Sequence, residues 1–175
     1  MEVRLSWEEV RCGAQHGLER GLTALKRGWS PRHGGVEDRF RNHILGAVGE
    51  IAVAKGLDLY WSGVVGPDVT DVGWLYEVRS TMMQNPKLTI YESDMRNPGQ
   101  GVVLAQTINF QDWRMLGWKN VVDCMEDRFL DRRLVGEKRQ WLIPVEELEE
   151  MSELVTGVPD PEVLRSLDQL RAGDE

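Results

Sequence analysis

A carboxylate set in an otherwise apolar helix is the first residue that demands a chemical explanation. Glu50 stands among Phe40, Ile44, Leu45, Ala47, Val48, Ile51, Ala52, Val53 and Ala54. A run this apolar on nearly every side predicts a core helix over 38–57. An isolated carboxylate at its centre would cost several kcal/mol to ionise, so Glu50 needs a partner. Some twenty residues on comes the stretch VVGPDVTDVGWLYEVRST, whose β-branched and aromatic residues flank Gly73-Trp74 and predict a hairpin carrying Asp68, Asp71, Glu77 and Arg79. In a strand Glu77 and Arg79 share a face, because side chains repeat every two residues. A helical acid, a hairpin acid and a strand acid meeting at one point make an oxygen-rich site of the kind that Mg²⁺ or Mn²⁺ prefers.

Which aspartate joins Glu50 and Glu77 depends on the turn. A two-residue loop, Gly73-Trp74, sets Asp68 across from Arg79 and turns Asp71 away. A three-residue loop over 72–74 shifts the register by one and brings Asp71 in. Asp71 is preferred, since its shorter reach suits a strand end beside Glu77, and a bulge near Gly73 makes the odd loop easy.

The surrounding elements must hold these groups. Ser6 and Glu9 form a capping-box pattern, and Val10, Ala14, Leu18, Leu22 and Leu25 recur at helical spacing, so a first helix is expected over 6–27. Gly13, Gly17 and Gly21 fall at four-residue steps in it, which fits either close approach of another backbone or weak helix formation. The segment 29–37 reads as a loop, 59–61 as a short strand, and 87–92 and 101–108 as strands joined by an Asn97-Pro98-Gly99 turn. After Asp112 come a short helix or strand, a basic segment, a strand at 141–143, a helix over 144–155, and a last helix opened by Asp160 and Pro161. The order predicts an α/β fold, a mixed β-sheet flanked by helices.

The succession of Gly49-Glu50, Pro67-Asp68 or Asp71, and Glu77-Val78-Arg79 resembles the PD-(D/E)XK nuclease superfamily. The run 40–108 is similar to small phage-encoded proteins with the same GE, DVG and VR elements. The resemblance implies a restriction-endonuclease-like core in which Asp71 and Glu77 bind Mg²⁺ or Mn²⁺, with Asp68 as the other candidate ligand. Glu50 would supply the helical acid as a further ligand of the same metal site, and Arg79 would take the place of the usual lysine. It implies metal-dependent hydrolysis of DNA phosphodiesters, a possible homodimer and, as the alternative, an inactive nuclease-fold module that binds nucleic acid or protein. Arginine in the lysine position matters, because arginine keeps its proton and is suited to holding phosphate charge rather than to general base work. Lys55 lies about 140° round the helix from Glu50 and is not expected to compensate.

Length and charge bound these readings. The 175 residues fit one core-forming domain over 1–145, followed by an acidic helical C-terminal segment over 146–175. That segment holds ten acids against two bases, so it carries the whole net charge of −8, and the body is balanced with nineteen of each sign. A coat of nucleic acid over the entire surface is therefore excluded, while the basic stretches 10–36 and 128–139 leave local phosphate contacts open, as solvated faces or as grips. The acidic end is also open to a third reading, as a nucleic-acid mimic. No apolar run reaches membrane-spanning length and no signal-peptide pattern opens the chain, which predicts a cytoplasmic protein with reduced thiols at Cys12 and Cys124. His16, His33 and His43 form no ligand pattern, although His43 stands two helical turns before Glu50 as a structural histidine or an auxiliary proton carrier. Trp61, Trp113, Trp118 and Trp141 are expected to pack, and Trp74 to pack or to stack on a base. Glu92 and Asp94 are expected at the surface.

Overall fold

A computed structural model describes residues 1–29, 36–63, 70–73, 75–132 and 139–154. The elements in chain order are β1 (Glu2–Arg4), α1 (Trp7–Lys26), α2 (Val36–Leu57), β2 (Tyr76–Thr81), β3 (Lys87–Tyr91), β4 (Gly101–Thr107), β5 (Asp112–Asn120), α3 (Val121–Cys124) and β6 (Gln140–Pro144). The main sheet runs β1-β5-β4-β2. Its first pairs are antiparallel and β4 with β2 is parallel, so the sheet is mixed. β3 and β6 form a separate antiparallel pair. The α/β class with a mixed sheet is thus observed.

β4 explains the layering. Its residues are apolar on both faces, as a strand covered on both sides must be. Val103 and Ala105 pack with Val48, Ala52 and Val53 of α2, while Val102 and Leu104 pack with Leu88, Ile90, Trp141 and Ile143 of the small sheet. Two cores therefore share one central strand, with α1 and α2 on one side and β3 and β6 on the other.

The glycine row of α1 is a seam. A Cβ at Gly13 would stand 2.9 Å from the Val48 Cα, one at Gly17 would run into the Ile44 backbone, and one at Gly21 would lie 2.6 Å from the Phe40 ring. The inward face of α1 is consequently Gly13, Gly17, Gly21 and Ala24. Leu18, Leu22 and Leu25, which helical spacing assigns to a buried stripe, are 46%, 46% and 41% exposed. Hydropathy misorients this helix because shape, not apolar area, sets its packing. The Ser6 capping box forms as expected, with the hydroxyl accepting from the Glu9 amide and the Glu9 carboxylate from the Ser6 amide.

Other expectations are corrected. The 59–61 strand is reduced to a single bridge from Trp61 to Val72. The hairpin is reduced to the Val72–Tyr76 pair, and β2 turns instead to β4. β1, which the sequence reading omits, forms an edge of the sheet. The 144–155 helix is replaced by two single turns, Val145–Glu147 and Met151–Glu153. Pro144 already sits in extended backbone there, and the Trp118–Glu149 bridge interrupts the segment. Met151 and Leu154 are buried in the core of the body. Asp68, Trp74, the loop over 30–35, the helix from Asp160 and the rest of the acidic segment lie outside the described residues. Among the described residues no helix is long and apolar enough to cross a membrane.

Two glycines give opposite tests of the seam. Gly17→Val should lower stability by about 1–3 kcal/mol through the clash with Ile44. Gly46→Ala, in the same helical layer but with open space around it, should raise stability by about 0.5–1 kcal/mol. Urea unfolding of both variants checks the pair.

Candidate functional site

The seam positions Glu50. Gly49 of α2 lies directly against Ser80 of β2 and the Trp113 ring, where a Cβ would find no room. The next residue, Glu50, turns about 100° from that contact and is 3% exposed. Its partner is Arg20, carried by α1 between two of the seam glycines. Arg20 donates from Nη1 to Glu50 Oε1 and from Nη2 to Oε2 at 2.7 Å, and the Trp61 indole N–H adds a third bond to Oε2 at 2.9 Å. Trp61 is itself braced by the His16 ring, whose centroid lies 4.8 Å away. Both oxygens of Glu50 are committed to these donors.

Asp71 arrives on the short arm before β2. Three positions intervene between the paired Val72 and Tyr76, which sets Asp71 across from Glu77. One carboxylate oxygen of Asp71 accepts the Val78 amide at 2.9 Å. Burial, then the negative charges of Glu50 and Glu77, push the Asp71 pKa well above the usual aspartate value, against the Val78 amide and Arg20. Acids from three separate elements are therefore close enough to feel one another. Burial works against the charge of Arg20, but Glu50, hydrogen-bonded to it, and Asp71 and Glu77 beyond outweigh it and raise its pKa.

Glu77 and Arg79 share the other face of β2, as the strand period requires. The Arg79 guanidinium donates to Glu77 at 3.3 Å, to Asp94 at 2.7 Å and to the Thr89 carbonyl at 3.2 Å, and it lies 5.7 Å from the Tyr91 ring centroid. The Gln100 amide reaches Glu77 at 3.4 Å. Asp94 is thus not a simple surface residue. It also accepts the Tyr91 amide at 2.9 Å, which ties Arg79 to the turn after β3. Lys55 turns away from Glu50, as expected, to pair with Glu9 at 2.8 Å.

The structure therefore places Glu50, Asp71, Glu77 and Arg79 in one neighbourhood, with Asp68 outside the described residues. The sequence reading missed Arg20, Trp61, Asp94 and Gln100 as members. The one available signal was Arg20, a cation inside the glycine row. Among the described residues no group of three or more acidic, histidine or cysteine side chains is set to hold a metal ion. Glu50 does not fit as a ligand while Arg20 and Trp61 occupy it. Glu77 already accepts from Arg79 at 3.3 Å and from Gln100 at 3.4 Å, and Asp71 from the Val78 amide at 2.9 Å, so each carboxylate would have to give a further lone pair to Mg²⁺, which is commonly held by one or two carboxylates with water and phosphate completing the shell. The chain matches no protein-family model, no curated protein and no solved structure.

Asp71 offers a pH test. With its folded pKa raised, the native state binds more protons than the unfolded chain between the two values, so stability falls as pH rises through that window. Asp71→Asn should be more stable than the parent at pH about 8, and this gain should vanish as pH falls to about 4, near the unfolded aspartate value. Thermal melts across pH read the difference. Arg20→Leu should instead cost about 3–5 kcal/mol by leaving Glu50 buried without its cation, and Arg20→Leu combined with Glu50→Leu should recover most of that loss in the same melts.

Proposed function

We propose that the protein is a metal-dependent phosphodiesterase acting on DNA, of phage type, with a restriction-endonuclease-like core. The observation that carries the reading is the approach of Asp71 to the start of β2, where it accepts the Val78 amide at 2.9 Å across from Glu77; burial and the negative charges of Glu50 and Glu77 raise its pKa there. Mutual repulsion among carboxylates in a sparsely hydrated site is relieved by a proton or by a cation. Asp71 and Glu77 would hold Mg²⁺ or Mn²⁺, which when bound polarises a phosphate and lowers the pKa of a water. Arg79, fixed by Asp94, Glu77 and the Thr89 carbonyl, presents a permanent positive charge toward phosphate and takes no proton. Glu50, through Arg20, fixes α1 to α2 and keeps a second guanidinium beside the acids. A cytoplasmic location and a homodimer that serves both strands belong to the same proposal.

A second reading, a noncatalytic module of the same fold that binds nucleic acid or protein, is favoured by one observation. Arg79 stands where the resemblance implies a lysine, and its donors are already engaged.

Calorimetric titration with Mn²⁺ and cleavage of supercoiled plasmid test the two together. The enzyme reading expects saturable Mn²⁺ binding, lost in Asp71→Asn and Glu77→Gln, and cleavage reduced at least about a hundredfold in both variants, as for loss of a group central to transition-state stabilisation. Binding of Mn²⁺ or DNA without cleavage supports the module. Failure of the parent protein to bind Mn²⁺ at millimolar concentration overturns the metal-dependent reading.

A further inference from the structure

The outward side of α1 carries an apolar stripe that remains open among the described residues. Leu18, Leu22 and Leu25 are each more than two-fifths exposed. They lie within about 60° of one another round the helix and roughly 100° from the glycine seam. Their spacings of four and three residues are those of the a and d positions of a coiled coil. Trp29, just beyond the left-handed turn at Gly28, stands at the end of the stripe and is 46% exposed. Single exposed leucines are ordinary on a soluble surface, but a continuous row marks a place of contact. Glu19 and Lys26, seven residues apart, occupy the flank of the stripe that faces away from α2. Both are exposed, and neither enters an ion pair among the described residues.

We propose that a second copy of this chain docks on the stripe, its α1 antiparallel to the first about a two-fold axis that passes between Leu22 and Leu25. Leu22 of each copy then meets the partner's Leu25, and Leu18 faces the helix end where the partner's Trp29 stands. The two-fold makes every contact twice. Charge selects this occupant and this direction. In an antiparallel pair the same flank of each helix meets, so Glu19 lies beside the partner's Lys26 and each charge left unpaired within the chain finds its opposite. A parallel pair would set that flank across from Ala14 and Gly21 and leave both charges unmatched. The two helix dipoles also oppose one another only in the antiparallel arrangement. Arg20 stands about 160° round α1 from Leu18, so association leaves the acidic site uncovered. The interface gives a place to the homodimer of the proposed function and rests on that reading only for what the dimer does.

Sedimentation equilibrium of the full-length protein in EDTA and low salt, over about 1–200 μM, reads the association directly. The parent should pass from monomer to dimer within this range. Leu22→Glu should weaken the dimer at least about a hundredfold, because two leucines leave the contact in each dimer. Leu25→Gln gives a second reading if Leu22→Glu does not fold. Glu19→Lys and Lys26→Glu should each weaken the dimer about fivefold, and the two together should restore it, since the exchanged charges meet again across the two-fold. Single exchanges without effect, or a double exchange that does not recover, overturn the antiparallel pairing. A parent that stays monomeric throughout, or a dimer unchanged in Leu22→Glu, overturns the interface. A monomeric parent whose melting temperature falls in Leu22→Glu overturns it in favour of a segment of the same chain lying on the stripe. Neither metal nor DNA is present, so a monomer leaves the phosphodiesterase reading standing, and a failed Mn²⁺ titration leaves the interface standing.

Discussion

A buried carboxylate on one helix and a buried guanidinium on the next hold the molecule in the only arrangement in which either is tolerable. Glu50 is almost wholly removed from water, and Arg20 and Trp61 supply the donors that its two oxygens need there. Arg20 can reach it only because α1 lies closer to α2 than ordinary side chains permit. The glycines at 13, 17 and 21 are therefore as much a part of the site as the acids, although none of them carries a functional group. The ion pair does not by itself argue for stability, since a well-packed apolar pair of similar volume often does as well. Its significance is that it brings a fixed pattern of charge to the point where Asp71 and Glu77 converge.

The same logic of compensation recurs on the far face of β2. Arg79 is surrounded by Glu77, Asp94 and a carbonyl, so each of the two central arginines is matched by carboxylates and only Asp71 is left to manage its charge through its proton.

Much of the fold was legible in the sequence because local rules fixed it. The Ser6–Glu9 capping box, the apolar length of α2 and the β-branched run from Gly101 each act within a few residues, and each forms at the expected place. The partner of Glu50 was hard to read, because Arg20 and Glu50 are thirty residues apart and the place of Arg20 inside the glycine row was its one local signal. The pairing of β2 was misread for a related reason. Its sequence favours a hairpin with the preceding arm, but parallel pairing with β4 buries Val78 and Tyr76 against α2, a gain visible only once the sheet is assembled. The preference for Asp71 over Asp68 followed from counting residues across a turn, although the loop expected over 72–74 falls on the three positions 73–75 between the paired Val72 and Tyr76. The involvement of Asp94 did not, since it depends on how a separate small sheet folds over β2.

The way α1 is held has a thermal consequence. A joint made of glycines removes little greasy surface from water and relies on dispersion between backbones in near contact. Attachment of this kind does not share the loss of strength that oil-like burial suffers in the cold. On chilling, the two apolar cores around β4 should therefore loosen before the α1–α2 joint does, and the helix pair with its charged centre would be the last part of the molecule to come apart at low temperature.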